Sequence, residues 1–530
     1  MPSEQGAIAR RAGIVGLGTL ASRVLGLVRD IALAAMFTLS QTDAFWVAFT
    51  IPNALRQLLA EGAVSSAVLP VLTQVREKRG DDEARLFFAH VRGLSLTALV
   101  IVSIALSLGA PWVVDLFAGG FASRPGQLER TVLLTRWLAP YIFFMGSAAL
   151  GMAALHTFRR FVVASFAPAL LNVALVIAAL VLPTPLSDAG LDPALALAWG
   201  ALAGGALQVL AQIPSLRAIG FASFPRFSFD DPDVREVLKR IGPMTLGLGI
   251  YAIDLVVCRR LLSGLGEGAQ SWFSWAQRLC DFPQGIFVMA LSAATLPSLA
   301  SLAAKNDLDE LASTYAYGMR LALFVAVPVT IAFAALGEPI VIAIFQRGAF
   351  DAHSAHQTAL ALAAQGAGLW TVAAVRQLVP VFFALGDTRT PVIVSAIDLV
   401  ALILIAWLIT PSMGHVGVSL AVSGSSAVQM LCLWFALRRK LPDLKMGEIG
   451  ASVGRTLLAS VIAGIGGGGL AQVVARNLPA DAVFRLVPAI GGGVVFGLLF
   501  VVAAWGARSP ELDVLLGGLR RKLKRRAAAS

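Results

Sequence analysis

Apolar runs of about 20 residues follow one another from end to end of the chain, each long enough to cross a bilayer as an α-helix. The pattern predicts about fourteen membrane-spanning helices, at 14–38, 43–75, 93–117, 133–157, 161–183, 192–214, 236–262, 270–301, 315–345, 357–385, 390–410, 414–437, 453–474 and 485–506. The runs are continuous rather than alternating, which excludes a closed transmembrane β-barrel. The expected fold class is therefore an all-α polytopic membrane protein. Connections are short and leave no room for a large soluble domain. The longest, Arg217 to Arg240, contains FPRFSFDDPDVREVLKR, a turn followed by the start of an amphipathic helix. Asp230, Asp231 and Asp233 suit the N-terminal end of that helix, where the dipole favours negative charge.

Polar positions inside the apolar runs change the picture. The stretch Ser22 to Leu72 spans two predicted helices yet carries Arg23, Arg29, Asp30, Asp43, Arg56 and Glu61. An ionised side chain near the bilayer centre costs roughly 2.5–3.5 kcal/mol on insertion scales. Such residues either pair with one another or line a water-filled cavity that handles a charged ligand. Arg23 and Asp30 lie seven residues apart and share a helix face, so Arg29 is expected to point elsewhere, toward a cavity. The plain alternative is an ion pair that serves packing alone, but Asp30 can neutralise one arginine and not both. Arg56 and Glu61 form a second pair, with Asp43 near the outer end of the same helix, and Pro52 and Pro70 bend it.

Further along, WAQRLCDFPQG places Arg278 and Asp281 at i, i+3, which allows either a local salt bridge before Pro283 or a ligand-facing arginine. Arg23, Arg29, Arg56 and Arg278 together point to an anionic substrate, because arginine stays charged when desolvated and its planar fork matches phosphate oxygens. Asp254 and Asp398 also fall in apolar spans. They could ligate a hard cation such as Na⁺, take up a proton, or pair with Arg259 or Arg376. GIGGGGL (464–470) and GGG (491–493) lack the GK[ST] of a phosphate loop and read as surfaces for close helix packing.

Composition agrees with a membrane chain: 57% of the 530 residues are hydrophobic and 14% charged. The net charge of +11 sits in short loops and at the C-terminus, which argues for topology and anionic lipid headgroups rather than nucleic acid. Alternate connections hold clustered bases: Arg76, Lys78 and Arg79; Arg159 and Arg160; Arg235, Lys239 and Arg240; Arg438, Arg439 and Lys440. The tail Arg520 to Arg526 belongs with them, and the opposite connections hold only Arg124, Arg130, Arg347 and Arg476. Both termini are thus expected in the cytoplasm. Arg10-Arg11 precedes an interrupted apolar run that reads as an uncleaved first span. Cys258, Cys280 and Cys432 show no CxxC spacing and read as small buried hydrophobes.

An internal repeat appears at a shift of about 227. AEGAVSSAVLPVL (60–72) aligns with VMALSAATLPSL when Pro70 is matched to Pro297, and 155–173 falls on 382–400 at the same shift. Six helices fit in that interval, so the halves are expected to be parallel repeats. The predicted organisation is an N-terminal lobe at 1–216, a second lobe at 217–447, and a final helix pair with a basic tail at 448–530. Two-lobed transporters place the substrate site between their lobes.

SRVLGLVRD, TDAFWVAFTIPNALRQLLAEGA, WAQRLCDFPQGIF and TLPSLA together make the chain resemble the MurJ (MviN) family of lipid II flippases, within the multidrug/oligosaccharidyl-lipid/polysaccharide (MOP) exporter superfamily. The resemblance implies transport of undecaprenyl-pyrophosphate-linked disaccharide-pentapeptide from the cytoplasmic to the periplasmic leaflet of the bacterial inner membrane by alternating access. It implies a central cavity in which Arg23, Arg29, Arg56 and Arg278 handle substrate, with Asp30, Asp43 and Glu61 as accompanying acids. The last two spans would form a groove for the lipid tail. No cofactor is implied beyond a coupling ion, Na⁺ or H⁺, for which Asp254 and Asp398 are the candidate ligands. The partners implied are lipid II, membrane lipids and the cell-wall synthesis machinery, with the monomer as functional unit. Gln277 stands where family members often carry an acid, and Asp281 where Glu is common. Two other readings are a drug or polysaccharide-lipid transporter of the same superfamily, and a membrane enzyme. The arginines argue against a cationic drug, and DDPD is the one motif available to the enzyme.

Overall fold

The computed structural model describes residues 4–56, 65–222, 224–228, 230–285, 289–441, 443–478, 485–514 and 517. Among the described residues there are eighteen α-helices and no strand. The first half contains α1 (Glu4–Met36), α2 (Leu39–Arg56), α3 (Ser65–Arg79), α4 (Asp81–Ala118), a 3-10 turn (Gly119–Ser123), α5 (Gln127–Leu138) and α6 (Tyr141–Thr157). It continues through α7 (Phe161–Val181), the short α8 (Pro183–Asp188) and α9 (Leu195–Ala218). The second half contains α10 (Pro232–Ser263), α11 (Ala269–Pro283), α12 (Met289–Ala304), α13 (Leu308–Phe345), α14 (Ala352–Gly366), α15 (Leu369–Ala384) and α16 (Arg389–Lys440). The chain ends in α17 (Met446–Asn477) and α18 (Leu486–Gly506).

The repeat seen in sequence holds helix by helix. Helix α13 begins and ends 227 residues after α4, running from Leu308 to Phe345 as α4 runs from Asp81 to Ala118. Both contain 38 residues. Pro70 and Pro297, the pair that set the alignment, each lie inside a helix, α3 and α12. The pairs α5–α6 and α14–α15 follow at nearly the same spacing.

Nine stretches among the described residues are long and apolar enough to cross a membrane by length and composition. One of them, Arg389–Lys440, contains two of the predicted spans, joined at Gly414. Its φ of 57° and ψ of −136° reverse the helix there, and glycine tolerates that conformation without a Cβ clash. Helices α1, α2, α3, α10, α11 and α12 are not among the nine. They carry the intramembrane charges or internal prolines, or are interrupted by undescribed residues.

The chain divides into two compact units, Met1–Ser271 with Arg347–Ala349, and Trp272–Gln346 with Phe350–Ser530. Helix α10 belongs to the first unit because both of its ends are tied there. At its start, Asp231 caps the helix by accepting from the Asp233 N–H at 2.9 Å, and Pro232 occupies the first turn. Arg79 of α3 donates to Asp233, and His90 of α4 lies 2.9 Å from Asp231. At its end, the Gly120 N–H donates to Ser263 Oγ at 3.1 Å, Arg124 donates to the Ser263 carbonyl at 3.0 Å, and Arg260 contacts Asp115. The acids of DDPD are thus capping and ion-pairing groups, as the reading of a helix start expects. Phe221, from the connection before α10, is buried against Phe88 and Phe158 and closes the core beneath α3, α4 and α6.

In the second unit the terminal pair is fastened at one end by charge and along its length by glycine. Arg320 of α13 donates to Glu448 of α17 and to the buried Glu511 beyond α18, both at 2.8 Å, and Ser509 donates to the other Glu511 oxygen at 2.8 Å. Burial pushes the Glu511 carboxyl up, but hydrogen bonds from its own backbone N–H, Ser509, Ser452 and Arg320 outweigh it and hold the group below its ordinary pKa. In the glycine runs, a Cβ at Gly467 would lie 2.6 Å from the Gly492 carbonyl, and one at Gly492 would lie 2.8 Å from the Gly467 carbonyl. Backbone meets backbone here, which is the packing reading of those motifs. Gly467→Leu is expected to force α17 and α18 apart and destabilise the protein by about 1–3 kcal/mol. A melting temperature in detergent equal to that of the wild type would contradict this.

Candidate functional site

The charged stretch of the first unit resolves into two built clusters. The first lies where α1 meets α7. Arg29 and Asp30 are both buried. The Arg29 guanidinium donates from Nε (2.9 Å) and Nη2 (2.6 Å) to Asp30 Oδ1, and from Nη1 to Asn172 Oδ1 at 3.1 Å. Asn172, on α7, donates in turn from Nδ2 to the Ser22 carbonyl of α1 at 3.0 Å. The helix-face argument expected Arg29 to point away from Asp30, and this is corrected. Neighbours in sequence diverge by about 100° on a helix, but the arginine stem is long enough to fold its planar end back onto the adjacent carboxylate. Arg23 lies one to two turns earlier on α1 and is half-buried.

The second cluster surrounds Asp43, in the first turns of α2 and fully buried. Its Oδ2 accepts from the Gly268 N–H at 2.8 Å, and its Oδ1 accepts from the Ser271 N–H at 2.9 Å and from Ser271 Oγ at 2.7 Å. Arg124 approaches Oδ2 at 3.4 Å and also donates to the Ser263 and Gly266 carbonyls. The carboxylate therefore sits on the free N–H groups at the start of α11, satisfying donors that the helix itself cannot. Arg259 and Gln270 bond each other reciprocally nearby, Arg259 Nη1 to Gln270 Oε1 at 2.9 Å and Gln270 Nε2 to the Arg259 carbonyl at 2.7 Å.

The other expected site residues are distributed. Arg56 ends α2 with its side chain outside the described residues, as are Glu61 and the basic tail Arg520 to Arg526. Arg278 (half-buried) and Asp281 (exposed) stand one turn apart on α11 in the second unit. Asp254 is half-buried on α10 in the first unit. Asp398 is half-buried on α16 in the second. Among the described residues, no three His, Cys, Asp or Glu side chains come together as a metal-binding group. Sequence reasoning missed Asn172, Arg124 and Ser271. A signal for the first existed: Gly18, Ser22 and Gly26 recur every four residues, a small-residue stripe that invites a neighbouring helix, and it ends one turn before Arg29.

This geometry can be set beside known proteins. A solved inward-facing multidrug resistance MATE family transporter of the MOP superfamily matches with a TM-score of 0.69 at 16% identity, over 80% of this chain and 96% of that one. A lipid II flippase MurJ in an inward closed conformation matches with a TM-score of 0.74 at 22% identity, over 92% of this chain and 98% of that one. The fold shared with these structures is an all-α polytopic one, with charge buried among apolar helices. The family model described as lipid II flippase MurJ matches residues 33–487. Lipid II flippase MurJ of Burkholderia cenocepacia is 34% identical over 427 residues, 80% of this chain and 82% of that one. A probable lipid II flippase MurJ of Haemophilus influenzae is 33% identical over 435 residues, covering 79% and 84%. The chain belongs to the lipid II flippase MurJ family.

Proposed function

We propose that this protein moves lipid II from the cytoplasmic to the periplasmic leaflet of the bacterial inner membrane by alternating access, crossing the bilayer about fourteen times with both termini in the cytoplasm. The observation that carries the reading is Arg29: a buried guanidinium in an apolar helix of a chain from this family, held by a carboxylate and an amide. A pyrophosphate headgroup cannot enter hydrocarbon without compensating charge, and arginine offers it in the matching planar geometry. Arg23, Arg56 and Arg278 share that task during the cycle. Asp30, Glu61 and Asp281 offset the positive charge when no substrate is present, and Asp43 holds the start of α11.

Transport draws on the membrane potential or on Na⁺ or H⁺. Asp254 and Asp398 are the acids offered for such an ion, but neither is joined by two further His, Cys, Asp or Glu side chains among the described residues, so no step is assigned to a bound cation. The monomer is the working unit, supplying the cell-wall synthesis machinery. A cationic-drug antiporter, the alternative within the superfamily, would call for acids or aromatics where Arg29 stands. Depleting the protein from cells with no second flippase should sharply lower lipid II exposure on the outer leaflet. Unchanged exposure would overturn the assignment.

A further inference from the structure

We propose that Asn172 is a positioning residue for Arg29, a role that rests on the lipid II reading above. Helix α7 (FVVASFAPALLNVALVIAALV) contains no ionisable side chain, and Asn172 is its one amide side chain. A buried amide in such a helix is costly unless both ends are bonded. Both ends are. Oδ1 faces a guanidinium, which can only donate, and Nδ2 faces a backbone carbonyl, which can only accept. Flipping the amide would oppose donor to donor and acceptor to acceptor, so its orientation is dictated by its partners.

The close approach that makes this possible is built into α1. Gly18, Ser22 and Gly26 share one face. A Cβ at Gly18 would lie 2.5 Å from the Ser165 carbonyl, so α7 rests directly on the backbone of α1 at that level. Two turns on, Gly26 faces Asn172, and a Cβ there would stand 3.8 Å from the amide nitrogen and oxygen. The amide thus lies over the glycine, reaches back to the Ser22 carbonyl and forward to Arg29. Asp30, from the same helix as Arg29, fixes one edge of the guanidinium, and Asn172, from a second helix, fixes another. A charged partner alone would leave the arginine free to swing with its carboxylate. The amide ties its direction to the α1–α7 packing without neutralising the charge that an anion needs.

The test is a double-mutant cycle on the full-length protein, reading lipid II affinity in detergent. Its four arms are wild type, Asn172→Ala, the charge-neutral pair Arg29→Gln with Asp30→Asn, and all three changes together. Asn172→Ala should weaken lipid II binding about tenfold in the wild-type background, the scale of one hydrogen bond to a charged group. In the background without the guanidinium it should change binding by less than about twofold. Equal losses in both backgrounds would make Asn172 a packing residue and overturn the proposal. If the charge-neutral pair binds lipid II as well as wild type does, the functional reading fails instead, whatever Asn172 does. Should Asn172→Ala not fold, Asn172→Asp keeps the shape and the acceptor. It adds a second negative charge at Arg29 and should weaken binding by more than about tenfold, and wild-type affinity in that variant would also overturn the role.

Discussion

A chain carrying Arg29→Ala as the cell's sole copy should not support growth, and outer-leaflet lipid II should fall to the level of depleted cells. Two effects contribute and can be separated. Truncation leaves Asp30 in an apolar setting without the guanidinium that bonds it twice, and breaking a buried ion pair from one side typically costs about 3–5 kcal/mol. A drop in protein level would therefore account for some of the loss. The paired change Arg29→Gln with Asp30→Asn removes both charges and leaves no buried carboxylate without its partner, so it should accumulate to near wild-type levels and still fail to transport. Arg29→Lys should restore transport in part, since an ammonium supplies the charge but not the bidentate fork. Immunoblots and outer-leaflet labelling of the three variants check this, and growth of the charge-neutral pair at the wild-type rate would refute the role given to Arg29.

Asp43→Asn is expected to be nearly as damaging as Asp43→Ala, although the side chains have almost the same shape. Both carboxylate oxygens act as acceptors, Oδ2 from the Gly268 N–H and Oδ1 from Ser271, so an amide must present its NH₂ to one of those donors. Arg124 also loses its carboxylate partner. Losing charge-assisted bonds at a fully buried position should destabilise the protein by about 3 kcal/mol or more, read as a lowered melting temperature in detergent. Equal melting temperatures for Asp43→Asn and wild type would show that the start of α11 is held by other means.

Much of this architecture was legible in the chain. Apolar run length reports helices, and a constant 227-residue shift reports duplication, because both are properties of long stretches that no single side chain can overturn. DDPD was readable too, since a cap is a local event between neighbouring residues. The candidate site was legible in residue type but not in pairing. Which way Arg29 turns depends on side-chain torsions and on α7, 143 residues away in sequence. The grip on Asp43 by Gly268 and Ser271 spans 225 and 228 residues, and the donors there are mostly backbone N–H groups, which carry no sequence signature. The Arg320–Glu511 fastening was invisible for a similar reason: a charge beyond the last apolar run reads as solvent-exposed until tertiary packing buries it.

The equal length of α4 and α13 has a mechanical side. At 38 residues each helix is about 57 Å long, against roughly 30 Å of hydrocarbon, so each is longer than an upright crossing needs. For α4 the first turns are not bare: Phe87, Phe88 and Val91 are buried in the core that also takes in Phe221. A helix with a packed block at its far end is a lever arm. Tilting it by about 10° within the membrane would carry that block sideways by about 5 Å, which is roughly the pitch of one helical turn. Duplication therefore gave this protein two arms of the same length, one in each half of the chain.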